Sequence, residues 1–102
     1  MEIKIQSRHF KPNDELLDFV QQKMNHLSHL KKNILAGDVC LKLEKSDTSK
    51  NKVCEIRLSV PDNDLFSKRQ CETFEEAATQ AVEALQKQLR KRKTQTMRRR
   101  RG

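Results

Sequence analysis

Two runs of alternating apolar and polar residues lie between positions 38 and 60, in the stretch DVCLKLEKSDTSKNKVCEIRLSV. Alternation of this kind is typical of β-strands with one buried face, and it predicts strands over residues 38–45 and 52–60. The inward positions would be Val39, Leu41, Leu43, Cys54, Ile56, Leu58 and Val60. A polar segment, 46–51, separates the runs and predicts a hairpin. The outward positions Lys42, Glu44, Glu55 and Arg57 are mixed in sign, which suits a solvated face.

A strand and a helix are predicted before this hairpin. Met1, Ile3 and Ile5 alternate and indicate a strand over residues 1–7. Asn13 is a suitable N-cap for a helix of about five turns that would end near residues 31–32. Apolar residues follow it at helical spacing: Leu16, Phe19, Val20, Met24, Leu27 and Leu30. Residues 33–37 interrupt the pattern.

A turn, a fourth strand and a second helix are predicted after the hairpin. Residues 61–64, PDND, are typical of a turn, and 65–71 would form the strand. Its inward face stays open, because Leu65, Ser67, Arg69 and Cys71 compete with Phe66, Lys68 and Gln70. The sequence TFEE at 73–76 is a capping box that begins the helix. The buried stripe of that helix would contain Phe74, Ala77, Ala78, Ala81, Leu85 and Leu89.

The predicted order is therefore β-α-β-β-β-α, an α+β fold. Four short strands and two helices can bury their apolar faces together in one mixed sheet with both helices packed on one face. The connection through the first helix predicts parallel strands one and two, and the hairpins predict antiparallel pairing elsewhere.

The composition fits one small folded domain without a membrane span. The 102 residues are 34% hydrophobic and 35% charged, and no apolar run approaches the roughly 18 residues that a span requires. The amino end has no hydrophobic signal core, so we expect a cytoplasmic protein. The cysteines, Cys40, Cys54 and Cys71, are odd in number and form no CxxC motif, which argues against a disulfide framework.

Positive charge is concentrated at the carboxyl end. The formal net charge is +8, yet eight basic residues and no acid lie from Arg90 onward. Residues 1–89 contain 14 basic and 14 acidic side chains. We therefore expect a folded domain over 1–93 and a disordered basic tail over 94–102. Such a block favours a polyanionic partner, because neutralised phosphates release counterions.

Few residues suggest catalysis or a cofactor. Two glycines are too few for a glycine-rich phosphate loop, and His26 and His29, three apart, have no further metal ligand at useful spacing. The cysteines are better explained as small side chains within strands than as nucleophiles. We expect no enzymatic activity, no cofactor and no small-molecule substrate.

Structured RNA is the expected partner. Single-strand binders usually stack bases on aromatic residues, but the predicted central strands contain none. The four phenylalanines lie mostly where core packing explains them. Recognition would then use backbone phosphates and RNA shape. The predicted contact residues are Lys23, Lys87, Arg90, Lys91, Lys93, Arg98, Arg99, Arg100 and Arg101.

The chain resembles the ribosome hibernation-promoting factors, also called ribosome-associated inhibitor A or the sigma-54 modulation protein family. The resemblance rests on IKIQSRHF, ELLDFVQQKMNHL, DVCLKLEK, VCEIRLSVP, DLFSKRQC and TFEEAATQAVEALQKQLRKRK, in that order. It implies a fold similar to a double-stranded RNA-binding domain. The positions that match the basic helix faces of the family are Lys23, Lys87, Lys91 and Lys93.

The resemblance also implies a function. Members bind the small ribosomal subunit in the channel of messenger and transfer RNA, across the A and P sites, under stress or in stationary phase. They inhibit translation and preserve idle ribosomes. This chain has His26 where many relatives have a second basic residue, and it resembles the short type, for which ribosome dimerisation would need a second factor. Two alternatives stay open: a general double-stranded RNA-binding module and a protein-interaction adaptor.

Overall fold

The computed structural model describes residues 1–30, 33–45, 48–61 and 63–101, with backbone only from Arg92 onward. The elements are β1 (Glu2–Arg8), α1 (Asp14–Leu30), β2 (Ala36–Leu43), β3 (Lys52–Ser59), β4 (Leu65–Cys71) and α2 (Phe74–Arg101). This order confirms the predicted β-α-β-β-β-α arrangement. Among the described residues, no helix is both long and apolar enough to cross a bilayer.

One mixed sheet contains all four strands, in the spatial order β1-β2-β3-β4. β1 runs parallel to β2, and the other two pairs are antiparallel, as predicted. The buried residues of both helices belong to one cluster with the inward residues of β2, β3 and β4. The helices therefore cover one face of the sheet and leave the other, called here the open face, to solvent.

Both helices begin at the caps that the sequence predicts. The Asn13 side-chain oxygen accepts a hydrogen bond from the Leu16 backbone N–H at 2.8 Å. The Thr73 hydroxyl accepts one from the Glu76 N–H at 3.1 Å. Each bond satisfies a donor that has no partner within the helix. Leu30 is 44% exposed, so the buried stripe of α1 ends at Leu27. The predicted end near residues 31–32 lies outside the described part of the chain.

The second strand begins two residues earlier than predicted, at Ala36. Gly37, which is predicted to lie in a break between elements, pairs with Ile3 and Leu58 inside the sheet. A Cβ atom at Gly37 would lie 2.5 Å from the terminal methyl carbon of Met24 on α1. The glycine is there because α1 packs closely on the sheet at this point, and not because the strand is interrupted.

The structure resolves the orientation of β4. Leu65, Ser67 and Cys71 are buried on the helix side, while Phe66 and Lys68 are exposed on the open face. The polar Ser67 can face the core because its hydroxyl donates a hydrogen bond to the Ala81 carbonyl of α2, 3.0 Å away. A buried polar group with a partner does not incur the usual desolvation penalty.

Candidate nucleic-acid interface

The carboxyl-terminal half of α2 presents an exposed basic face. Lys87 and Lys91 are both exposed and lie one helical turn apart, about 6 Å along the axis. Leu85 and Leu89 are buried on the opposite side of the helix, which fixes the direction of the lysines. The predicted pairing of Lys87 with Lys91 on one face is therefore present.

Two hydrogen bonds attach this part of the molecule to β4, which is an edge strand. One is the bond from Ser67 to Ala81. In the other, the Gln88 side-chain amide donates to the Phe66 carbonyl at 3.2 Å. Lys87 lies between these two attachment points, next to Gln88, so its backbone is held while its exposed side chain extends into solvent.

A shallow groove lies beside Lys87. Its volume is about 430 Å³, and Arg69 of β4 contributes to its wall together with Glu83 and Gln88 of α2. Arg69 is exposed and is not among the predicted contact residues. The sequence leaves the inward face of β4 undecided, and only the docking of α2 along β4 brings Arg69 close to Lys87.

Charge changes sign along α2. Glu75 and Glu76 lie in its first turn, where carboxylates favour the positive end of the helix dipole. Glu83 is the last acidic residue of the chain, and nine basic residues follow it. A phosphate backbone would be repelled by the first half of α2 and attracted by the second half.

The remaining predicted contact residues of α2 are described to different extents. Arg90 is exposed. The helical backbone continues through Lys93 and the arginines of the tail to Arg101, but the described side chains end at Lys91. The division of the chain at residue 93, the disorder of 94–102 and the contacts of Lys93, Arg98, Arg99, Arg100 and Arg101 stay predictions.

Lys23 lies on the other helix. Its ammonium nitrogen is 5.4 Å from the ring centroid of Phe19, one turn earlier, at cation–π distance. This contact orients a half-buried lysine whose charged end would otherwise sample many positions. His26 is exposed and follows three residues later. Since α1 contacts α2, Lys23 lies in the same helical layer as Lys87 and Lys91.

Two lysines of the open face, Lys42 and Lys68, are already neutralised within the protein. The Lys42 ammonium lies 2.8 Å from a Glu55 carboxylate oxygen and 3.8 Å from one of Glu44. Lys68 lies 3.7 Å from Glu55 and 3.9 Å from Glu44. The hydrogen bond with Lys42 lowers the pKa of Glu55, and the same bond raises the pKa of Lys42. The nearby carboxylates therefore weaken the attraction of Lys42 and Lys68 for a phosphate.

The thiols are poorly suited to nucleophilic chemistry. Cys54 is fully buried, and burial raises the pKa of its thiol to about 12. Burial also raises the pKa of Cys71, while Cys40 is half-buried. A thiol must ionise to act as a nucleophile, so these shifts disfavour it. In the described residues, no three His, Cys, Asp or Glu side chains are grouped so as to hold a metal ion.

Two solved structures share this fold. The Thermus thermophilus Protein Y N-terminal domain superimposes with a TM-score of 0.76 at 24% identity, over 89% of this chain and 98% of that one. A ribosomal subunit interface protein from Coxiella burnetii gives a TM-score of 0.81 at 13% identity, over 92% and 99%. At these identities the likeness establishes the fold.

The sequence itself matches a family. No curated protein matches the chain. The family described as Sigma 54 modulation protein / S30EA ribosomal protein matches residues 3–97, from the second residue of β1 into the basic part of α2. The resemblance found in the sequence is confirmed, and the chain belongs to the Sigma 54 modulation protein / S30EA ribosomal protein family.

Proposed function

We propose that this protein is a ribosome hibernation factor that binds the small ribosomal subunit and keeps it out of translation. The match to the family over residues 3–97 carries this proposal. The name of the Coxiella burnetii neighbour, a ribosomal subunit interface protein, agrees with a ribosomal partner. Such a factor would act in the cytoplasm, during stress or in stationary phase.

Ribosomal RNA is the proposed direct contact. Lys87 and Lys91 form an exposed pair that follows Glu83, the last acidic residue of the chain, and Lys23 adds a charge from α1. Phosphate contacts of this kind position a protein without reading base sequence, which suits an RNA of fixed shape. The proposed contact set is Lys23, Lys87, Arg90, Lys91, Lys93, Arg98, Arg99, Arg100 and Arg101.

Inhibition would be competitive exclusion. The folded body would occupy the channel across the A and P sites, and its basic side chains would bind phosphates that messenger or transfer RNA approaches during initiation. No bond is made or broken and no cofactor is required. Because the attraction is largely electrostatic, binding would be reversible and would weaken as salt displaces the protein.

Sucrose-gradient sedimentation of purified ribosomal subunits with the protein tests this proposal. We expect the protein to migrate with the small subunit at low salt, to leave it at high salt, and to be displaced by messenger RNA with initiator transfer RNA. Protein that stays at the top of the gradient at low salt would refute the proposal. A shift of ribosomes to heavier particles only after addition of a second factor would support the short-type assignment.

A competitor distinguishes the alternatives in the same gradients. A general double-stranded RNA-binding module should be removed from subunits by an equal mass of free RNA duplex, whereas a channel-specific factor should remain bound. A protein-interaction adaptor should instead form a complex that survives nuclease treatment and high salt. Either of these results would favour the corresponding alternative over the proposed hibernation function.

A further inference from the structure

Phe66 is an exposed aromatic residue on the open face of the sheet. Its side chain is 49% exposed, whereas Phe74 is buried and both Phe10 and Phe19 are half-buried against the core. The four phenylalanines are predicted to lie mostly in the core, and Phe66, whose strand face the sequence leaves open, is the exception. Removing so large an apolar ring from water is favourable, so a ligand that covers Phe66 would gain binding free energy.

Basic residues lie beside Phe66 in the sheet. Arg57 of β3 is its direct cross-strand neighbour, followed by Asp38 of β2 and Lys4 of β1. Directly opposed residues on one face have Cβ atoms about 5 Å apart, close enough for their side chains to act on the same ligand. Four strands span roughly 14 Å at the usual strand separation, the width of a few nucleotides.

Basic residues in this row, and Arg8 further along β1, are not neutralised within the described residues. Lys4, Arg8 and Arg57 are exposed, and none of them belongs to an ion pair within the described residues. Two carboxylates lie on the same surface, Asp38 and Glu55, and Glu55 is already paired with Lys42 and Lys68. Lys4, Arg8 and Arg57 against Asp38, the carboxylate of this surface that is not already paired within the described residues, leave an excess that attracts an anion.

A groove connects these side chains. It has a volume of about 450 Å³ and extends from Lys4 and Arg8 on β1 to Arg57 and Phe66 at the other side of the sheet. An aromatic ring at one end and separate cations along the floor match a ligand that carries both flat bases and phosphates. Single-stranded nucleic acid has this chemistry, since bases stack on aromatic rings while basic side chains follow the backbone.

We infer that the open face is a second nucleic-acid surface, which binds single-stranded RNA by stacking a base on Phe66 while Arg57, Lys4 and Arg8 contact phosphates. This surface lies on the side of the sheet opposite the helices, so it is separate from the basic face of α2. A second copy of the chain is a poorer occupant, because two such faces would bring like charges together.

The absence of tryptophan and tyrosine from the chain allows a direct test. A Phe66→Trp variant has one indole, located at the proposed stacking site. Addition of decauridylate should quench its emission with a saturable curve, because a stacked base contacts the ring. Free RNA is the probe, so the result is independent of ribosome binding.

Affinity measurements complete the test. Labelled decauridylate should bind Phe66→Ala about tenfold more weakly than the natural protein, the loss expected for one base–aromatic stack, and Phe66→Trp should retain binding. Leu35→Ala, at an exposed apolar residue (64%) outside the groove, should bind normally. Each comparison should be repeated in a Lys87→Gln/Lys91→Gln background, which removes charge from the other face.

Two results would overturn the inference. The first is unchanged affinity in Phe66→Ala together with unchanged indole emission at saturating RNA in the Phe66→Trp protein. The second is emission that changes with protein concentration alone and not with RNA, which would identify a second copy of the chain as the occupant. Thermal unfolding of each variant verifies that it is folded, as expected for an exposed position.

Discussion

The ring of Phe10 stacks on the ring of Phe74, with centroids 4.4 Å apart and planes inclined by 11°. Phe10 lies in the connection from β1 to α1 and Phe74 is the first residue of α2, so this contact joins two residues that are 64 positions apart in sequence. The stack closes the end of the core at which α2 begins.

Replacing Phe10 by Ala should destabilise the protein by about 2 kcal/mol, less than a full core deletion because the ring is half-buried. Phe10→Leu keeps most of the apolar area and should lose only the stacking contribution, about 1 kcal/mol. Urea unfolding measures both variants. Equal stability of Phe10→Leu and the natural protein would show that ring geometry adds nothing beyond buried area.

His9 adopts a left-handed backbone conformation, with φ at 71°. Glycine occupies this region freely, histidine tolerates it, and a β-branched residue is strongly disfavoured. We therefore expect His9→Gly to be at least as stable as the natural protein and His9→Val to be about 1–2 kcal/mol less stable. The His9 side chain is exposed, so lost packing contributes little. A valine variant as stable as the natural protein would refute the expected conformational penalty.

The paired sheet carboxylate Glu55 should contribute to stability in a pH-dependent way. Its hydrogen bond with Lys42 lowers its pKa in the folded state below the usual 4.5. The contribution is therefore present above pH 4.5 and is lost as pH falls through the lower folded-state pKa. Urea unfolding between pH 7 and pH 3 measures this contribution. At neutral pH, the free energy of unfolding of Glu55→Gln should be lower than that of the natural protein, and this gap should close in acid.

A matched control separates this pair from a general effect of carboxylate removal. Glu83 is exposed and belongs to no ion pair within the described residues, so Glu83→Gln should lack the same pH-dependent gap. A gap for Glu55→Gln that persists unchanged to pH 3 would mean that the glutamate acts through packing and not through its charge.

Local sequence patterns predicted the strands with regular alternation of apolar and polar residues and the helices with N-caps. They failed where the position of a single residue depends on a partner that is distant in sequence. The inward residues of β3 and the caps Asn13 and Thr73 follow from spacing and side-chain chemistry alone. Ser67 faces the core only because the Ala81 carbonyl of α2 accepts its hydroxyl, a contact across 14 positions. Gly37 is part of β2 because Met24 packs over it.

The residues of the candidate site also divide into those set by local spacing and those set by distant contacts. Lys87 and Lys91 share an exposed face because they lie one turn apart on a helix whose buried stripe is visible in the sequence. Arg69 and Phe66 were missed because their positions depend on the orientation of β4, which Ser67 leaves ambiguous. Once the strand is oriented, Arg69 lies beside α2 and Phe66 lies on the open face.

Removing charge at Lys87 and Lys91 should weaken binding to the small subunit without unfolding the protein. Both side chains are exposed, so the melting temperature of Lys87→Gln/Lys91→Gln should stay nearly unchanged. If about six side chains neutralise phosphates, the log–log salt slope of the natural protein should be roughly −4 to −5, and the double variant should reduce its magnitude by about 1.3–1.7. Sedimentation at a series of salt concentrations measures both slopes.

Losing two positive charges anywhere on the protein could also weaken its binding to the small subunit, and a matched variant tests for this. Lys45→Gln/Lys50→Gln removes the same two charges from exposed lysines near the β2–β3 connection, so it should keep the salt slope of the natural protein if contact is made through α2. Lys87→Arg/Lys91→Arg keeps the charge at the site and should retain binding. Equal losses in both glutamine variants would show that the ribosome responds to overall charge, and the basic face of α2 would then have no special role.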